Sequence, residues 1–177
     1  MKKSSLYFAC ILFLVCGCKK VEEATRFEMK YDESIMVPAT LGINLPFNIP
    51  TPDITSYSRS EFSMNNIQKR LVQEVMLTGL TLDLREPAYA DFSFLESIRV
   101  FISTDDLPDK EIAWLDPLPD DCGDHLNLDT SGEDLKEYIK AKAFFLKVRT
   151  VTDELLTSDH YIDIHCIFFV DARILGQ

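Results

Sequence analysis

From residue 161 to residue 174 the chain places an apolar side chain at every second position: Ile162, Ile164, Cys166, Phe168, Val170, Ala172 and Ile174. Tyr161, Asp163, His165, Asp171 and Arg173 hold alternate positions, with Ile167 and Phe169 making that side partly apolar at mid-run. Successive side chains of an extended strand point to opposite faces, so this run predicts a long β-strand with one wholly apolar face. That face must be covered by a second layer along its length, which constrains everything upstream.

The same period recurs through the chain. Arg26 to Asp32 alternates charged with apolar or aromatic residues, and Ile35-Met36-Val37 is expected to continue the strand after a kink at Glu33-Ser34. Pro38, Pro46, Pro50 and Pro52 suit an edge or a crossing between sheets, because proline donates no ladder hydrogen bond. Residues 54–62 are weakly patterned and read as another strand. Asn65 or Asn66 is expected to cap a short helix running to about Glu74, with Ile67, Leu71 and Val75 on one stripe. Leu80, Leu82 and Leu84 then oppose Thr81, Asp83 and Arg85, and Gly79 marks a bulge where the apolar phase shifts.

Further on, Phe92 to Leu95 plugs a loop into the core, and Ile98, Val100 and Ile102 define a strand. Asp105 to Asp109 turns the chain into a return strand from Glu111 to Leu115, where Trp114 shares a face with Ile112 and is read as core. His125 to Asp129 is expected as one short strand. Ser131 to Asp134 opens a short helix presenting Leu135, Tyr138 and Ile139, and Phe144, Leu146 and Val148 then alternate with Phe145, Lys147 and Arg149.

With no βαβ rhythm, these segments predict an all-β fold: an antiparallel β-sandwich, immunoglobulin-like or C2-like, of about seven to nine strands with one or two short helices. Trp114 precedes Cys122 and Cys166, so the antibody order of cysteine, tryptophan, cysteine is absent. Residues 26–177 are expected to form one domain.

The N-terminus carries Lys2 and Lys3, then an apolar run from Leu6 to Cys16 that is shorter than the roughly 20 residues a spanning helix needs. Leu14-Val15-Cys16-Gly17-Cys18 resembles the lipobox of a bacterial lipoprotein signal peptide, with an aliphatic residue three before the cysteine and a small residue just before it. The resemblance implies removal of residues 1–17, acylation of Cys18, residues 18–25 as a tether, and localisation at the Gram-negative outer membrane. Lys20-Val21-Glu22-Glu23 is similar to a signal for outer-surface display, but reads first as a solvated tether.

The formal charge is −11, and loss of Lys2 and Lys3 would take it to −13. Such a domain repels phosphate backbones, which argues against a nucleic-acid partner. Membrane contact is expected through the lipid on Cys18, and an envelope protein is the expected partner. If Cys10, Cys16 and Cys18 go with the signal and the lipid, Cys122 and Cys166 remain, open either to a disulfide or to a buried thiol at Cys166.

Two acidic turns are candidate metal ligands: Asp105, Asp106 and Asp109 in one, and Asp120, Asp121 and Asp124 in the other. Gathered at one end of the sandwich, they would suit calcium, although Gly123 does not fit EF-hand spacing. Zinc binding by Cys122, His125, His160, His165 and Cys166 is disfavoured, because adjacent His165 and Cys166 point to opposite faces. Cys122 among Asp120, Asp121 and Asp124 lacks the electropositive setting of a nucleophile, and no GxSxG, HExxH or phosphate loop occurs. Tyr57, Phe62, Tyr89, Trp114 and Tyr161 form the aromatic pool for sugar stacking, with Tyr161 and Phe169 also suited to a protein-binding patch. The leading expectation is therefore a non-catalytic binding or assembly module. A calcium-dependent or carbohydrate-binding surface module is the alternative, followed by a hydrolase with an unrecognised carboxylate site.

Overall fold

The computed structural model describes residues 26–39, 47–50, 71–141, 143–152 and 154–172. Cys18 and its signal, the strand expected at 54–62, Tyr57, Phe62, Arg173 and Ile174 lie outside the described residues. β1 (Arg26–Val37), β9 (His160–Ala172), β3 (Val72–Glu86) and β6 (His125–Asn127) form a four-stranded sheet in the order β1-β9-β3-β6, called sheet A. β2 (Phe47–Pro50), β8 (Phe145–Thr152), β4 (Leu95–Ser103), β5 (Lys110–Leu115) and β7 (Asp129–Thr130) form a five-stranded sheet B in the order β2-β8-β4-β5-β7. Every pairing is antiparallel, and the two sheets enclose one contiguous apolar core. The fold is an all-β sandwich. Among the described strands the first lies beside the last, unlike immunoglobulin constant domains, whose first strand pairs with the second.

The alternation in β9 organises this architecture. Ile162, Ile164, Cys166, Phe168, Val170 and Ala172 are all buried, and Ile98, Val100, Ile102, Leu146 and Val148 close over them from sheet B. β1 runs along β9 without interruption from Arg26 opposite Asp171 to Val37 opposite His160, so the kink expected at Glu33-Ser34 is not formed. Glu33 shares the parity of buried Tyr31 and Ile35, and it accepts hydrogen bonds from the Tyr31 hydroxyl (2.6 Å) and the Ser34 N–H (3.1 Å). A hydrogen-bonded carboxylate is tolerated where an unpaired one is not.

On the other side of β9, β3 carries three register shifts. The one between Leu77 and Gly79 moves the buried positions from Val75 and Leu77 to Leu80, Leu82 and Leu84, which is the bulge expected at Gly79. The helix expected to reach Glu74 is corrected at its end: Val72 to Glu74 already belong to β3. Pairing with β9 overrides the local helical stripe there.

Among the described residues β2 is an edge strand of sheet B and β1 before it belongs to sheet A, so the chain changes sheets between Val37 and Phe47; Pro46 and Pro52 lie outside the described residues. The single strand expected from His125 to Asp129 is two. His125–Asn127 pairs with β3, whereas Asp129–Thr130 pairs with β5 in the other sheet. Leu128 between them is buried and donates its N–H to the Leu80 carbonyl at 3.0 Å. A 3₁₀ turn at Phe92–Phe94, capped by the Asp91 side chain, buries both phenylalanines. α1 (Lys136–Lys140) closes the opposite end of β3, where the Leu135 N–H reaches the Val75 carbonyl at 2.7 Å.

Candidate functional site

The outer face of sheet A carries the densest set of ionisable side chains linked across strands. Odd-numbered residues of β9 point away from the core, which puts His165 on this face beside Asp32 of β1, its direct register partner. His125 of β6 is likewise opposite Asp83 of β3. The His165 Nδ1 lies 2.6 Å from Asp32 Oδ1, its Nε2 lies 3.4 Å from Asp83 Oδ2, and the His125 Nδ1 lies 2.7 Å from Asp83 Oδ1. The result is a chain, Asp32–His165–Asp83–His125, that spans all four strands. Its side chains are between 44% and 70% exposed, so it is an external feature and not a buried network.

The hydrogen bond with Asp83 raises the His125 imidazole above its ordinary range. Next to the chain, the Ser34 hydroxyl donates to Asp163 at 2.5 Å, Arg85 approaches Asp163 at 3.7 Å, and the Arg85 guanidinium lies 5.9 Å from the Tyr161 ring centre. Further along the same face, Met76, Ile167 and Phe169 are half-buried, and Phe169 is the register partner of both Met76 and Glu28. Ile167 lies over Gly79, where an added methyl would meet its side chain at 3.7 Å. The face is therefore divided into a titratable half and an apolar half. Chemically it offers two imidazoles held against carboxylates, His165 through both ring nitrogens and His125 through Nδ1, and a serine whose proton goes to Asp163.

The acidic turns are not brought together. Asp105, Asp106 and Asp109 precede β5, whereas Asp120, Asp121 and Asp124 follow it. At about 3.3 Å per residue the strand holds the two turns roughly 17–20 Å apart, at opposite ends. Asp109 is instead engaged by the Lys147 ammonium at 2.8 Å and the Ser103 hydroxyl at 2.5 Å, and these bonds hold its carboxyl below the usual carboxylate range. Among the described residues, no group of three or more His, Cys, Asp or Glu side chains is arranged to hold a metal ion, which corrects the expected calcium cluster.

The Cys122–Cys166 disulfide is not formed either; both thiols are free and buried. The Asp124 carbonyl accepts from the N–H of Leu84, which lies level with Ile162, while Cys166 lies level with Leu80. Four residues of strand, roughly 13 Å, separate those levels, well beyond the Cα separation a disulfide allows. Burial pushes the Cys166 thiol up strongly, and burial together with Asp91 raises that of Cys122. His160 is a structural residue, ringed against Phe94 at 4.6 Å and bonded through Nδ1 to the Ser158 carbonyl at 2.9 Å.

Among the aromatic residues, Trp114 is misassigned by simple alternation. Ile112 is an extra residue at a bulge opposite Val100 and Phe101, so Ile112 is buried while Trp114 pairs with Arg99 on the outer face of sheet B. Tyr161 is exposed as expected, and Tyr89 projects fully into solvent from a left-handed backbone at φ 68°. The imidazole–carboxylate chain was not legible beforehand. Its sequence signal was only the outward parity of Asp32, Asp83 and His165.

No family model matches the chain, and no curated protein matches it. Among solved structures, it is similar to a chain in the acidic stable capsid structure of Helicobacter pylori bacteriophage KHP30. That likeness has 10% sequence identity and a TM-score of 0.31, and covers 81% of this chain and 92% of that one. At that level it carries no argument about function.

Proposed function

We propose that this protein is a lipid-anchored lipoprotein of the Gram-negative outer membrane, whose acidic β-sandwich acts as a non-catalytic binding or assembly module for an envelope protein. The observation that carries the reading is the run Leu14-Val15-Cys16-Gly17-Cys18 behind a basic N-terminus and a short apolar segment. Acylation at Cys18 would remove any need for a basic surface to hold the protein at a membrane, which is consistent with a charge of −11. Tethering raises the effective concentration of the sandwich against neighbouring proteins. The outer face of sheet A, with Tyr161, Ile167 and Phe169 beside ionisable groups, supports a role in binding.

The test is metabolic acyl labelling of the full chain with and without Cys18→Ala. The variant is expected to lose the label and accumulate as uncleaved precursor; continued labelling overturns the anchor. Cross-linking in intact cells through residues of the sheet A face is expected to capture one recurrent envelope protein in preference to cross-linkers placed on sheet B. Equal capture from both faces removes the assignment of the binding surface.

A further inference from the structure

The histidine–aspartate chain has a property that neither its members' exposure nor its charge explains. His165 points both ring nitrogens at carboxylate oxygens, Nδ1 at Asp32 and Nε2 at Asp83. A neutral imidazole has one N–H and one lone pair, so it satisfies only one of these contacts and sets a lone pair against the other carboxylate. The protonated ring donates to Asp32 and sets its positive charge 3.4 Å from Asp83. Asp83 is shared in turn, with Oδ2 facing His165 and Oδ1 facing His125, so a second protonated imidazole completes an alternation of charge along the chain.

The position of the chain in the fold gives this alternation a consequence. Among the described residues β1 and β6 are the two edges of sheet A, and β9 and β3 are its centre. The Asp32–His165 contact joins one edge to the centre, His165–Asp83 joins the two central strands, and Asp83–His125 joins the other edge. β6 has three residues in its ladder with β3, so the Asp83–His125 pair adds to a short set of backbone bonds there. We propose that these four side chains form a proton-operated clasp that fastens both edges of sheet A when the imidazoles are charged and slackens them when the imidazoles are neutral.

The groups facing the clasp are consistent with this direction. Asp124 and Asn127 flank His125 and favour its charged form, as does Asp83. Around His165, Asp163 shares its strand face and is itself occupied by Ser34 and Arg85, and Lys30 lies one outward position from Asp32 on β1. Because the folded His125 imidazole titrates above its unfolded value of about 6.5, its contribution is fully present below that pH. It is lost as the pH rises through the raised folded value.

Backbone amide exchange on the full chain in detergent, corrected for intrinsic rates, tests this between pH 8 and pH 5.5. Amides of β1 and β6 are expected to become about two- to fivefold better protected on acidification, while those of β4 and β8 change little. Asp83→Asn keeps the shape and removes the shared charge, and it is expected to abolish the gain at β6 and reduce it at β1. His165→Gln is expected to abolish it at β1 and leave part of it at β6. Equal gains in all strands would mean that acid merely relieves the net negative charge, which overturns the proposal, as does an unchanged gain in Asp83→Asn. If Asp83→Asn does not fold, the wild-type contrast between edge strands and sheet B decides the matter alone.

Discussion

On the outer face of sheet A two imidazoles tie strands together alongside the Arg26–Asp171 and Arg85–Asp163 pairs; on the outer face of sheet B the ties run through groups that stay cationic across the physiological range. Arg99 bonds Glu111 at 2.9 Å and Asp116 at 2.7 Å, Lys147 bonds Asp109, and the Arg149 guanidinium lies 4.6 Å from the centre of the Phe101 ring. The imidazole ties and the sheet B ties therefore answer to protons with opposite sign. On sheet A, His125 titrates above its ordinary range, so its tie is gained on mild acidification. On sheet B, Asp109 titrates below the ordinary carboxylate range, so its tie is present above about pH 4 and is lost as pH falls through the folded value. Similar geometry, a carboxylate paired across strands, gives a contact sensitive to protons near neutrality or one insensitive to them, according to which base sits opposite.

The largest expected effect tests whether the faces can be compared over a common core. Phe168→Ala removes a fully buried ring between the sheets and is expected to cost about 3–5 kcal/mol in urea unfolding, equally at pH 5.5 and pH 8. A loss that depended on pH would mean that the core and the surface ties are not separable. Next, Asp109→Asn is expected to cost about 0.5 kcal/mol at pH 7, small because the pair is well exposed, and progressively less as the pH falls below about 4. A cost that grew on acidification would break the contrast with sheet A. The smallest effect is at Gly79, whose backbone is not left-handed and whose added methyl would meet Ile167 at an ordinary distance. Gly79→Ala is expected to shift stability by less than about 0.5 kcal/mol in the same assay. A larger loss would show that the apolar half of the sheet A face is more tightly packed than its exposure indicates.

Much of the sandwich was legible because burial imposes a period of two. β9, β8 and the later part of β3 follow their apolar alternation, and the phase shift at Gly79 was visible as two sets of leucines and valines out of register. The misreadings have one cause. Trp114 and Ile112 have the same parity, but a bulge inserts Ile112 and sends Trp114 to the outside. Leu126 and Leu128 have the same parity and are both buried, yet the strands on either side of Leu128 join different sheets. Parity reports which side chains seek a core; it does not report which strand supplies the partner. The separation of the acidic turns was legible and was missed, since a strand lying between two turns necessarily places them at opposite ends.

What the sequence determined by itself is the class of fold, the covered face of β9 and the acidic character; the address proposed from Leu14-Val15-Cys16-Gly17-Cys18 rests on the same kind of short-range signal. These are local or compositional properties, set by the period of apolar residues and by short-range motifs. What only the tertiary structure decided is which residues distant in sequence become neighbours: Asp32 with His165, Asp83 with His125 and with His165. Those contacts depend on strand order and register, and both arise from the competition of every strand for partners across the two sheets. The physical reason is that a side chain's parity is fixed by its own backbone, whereas its partner is fixed by the pairing of the whole sheet.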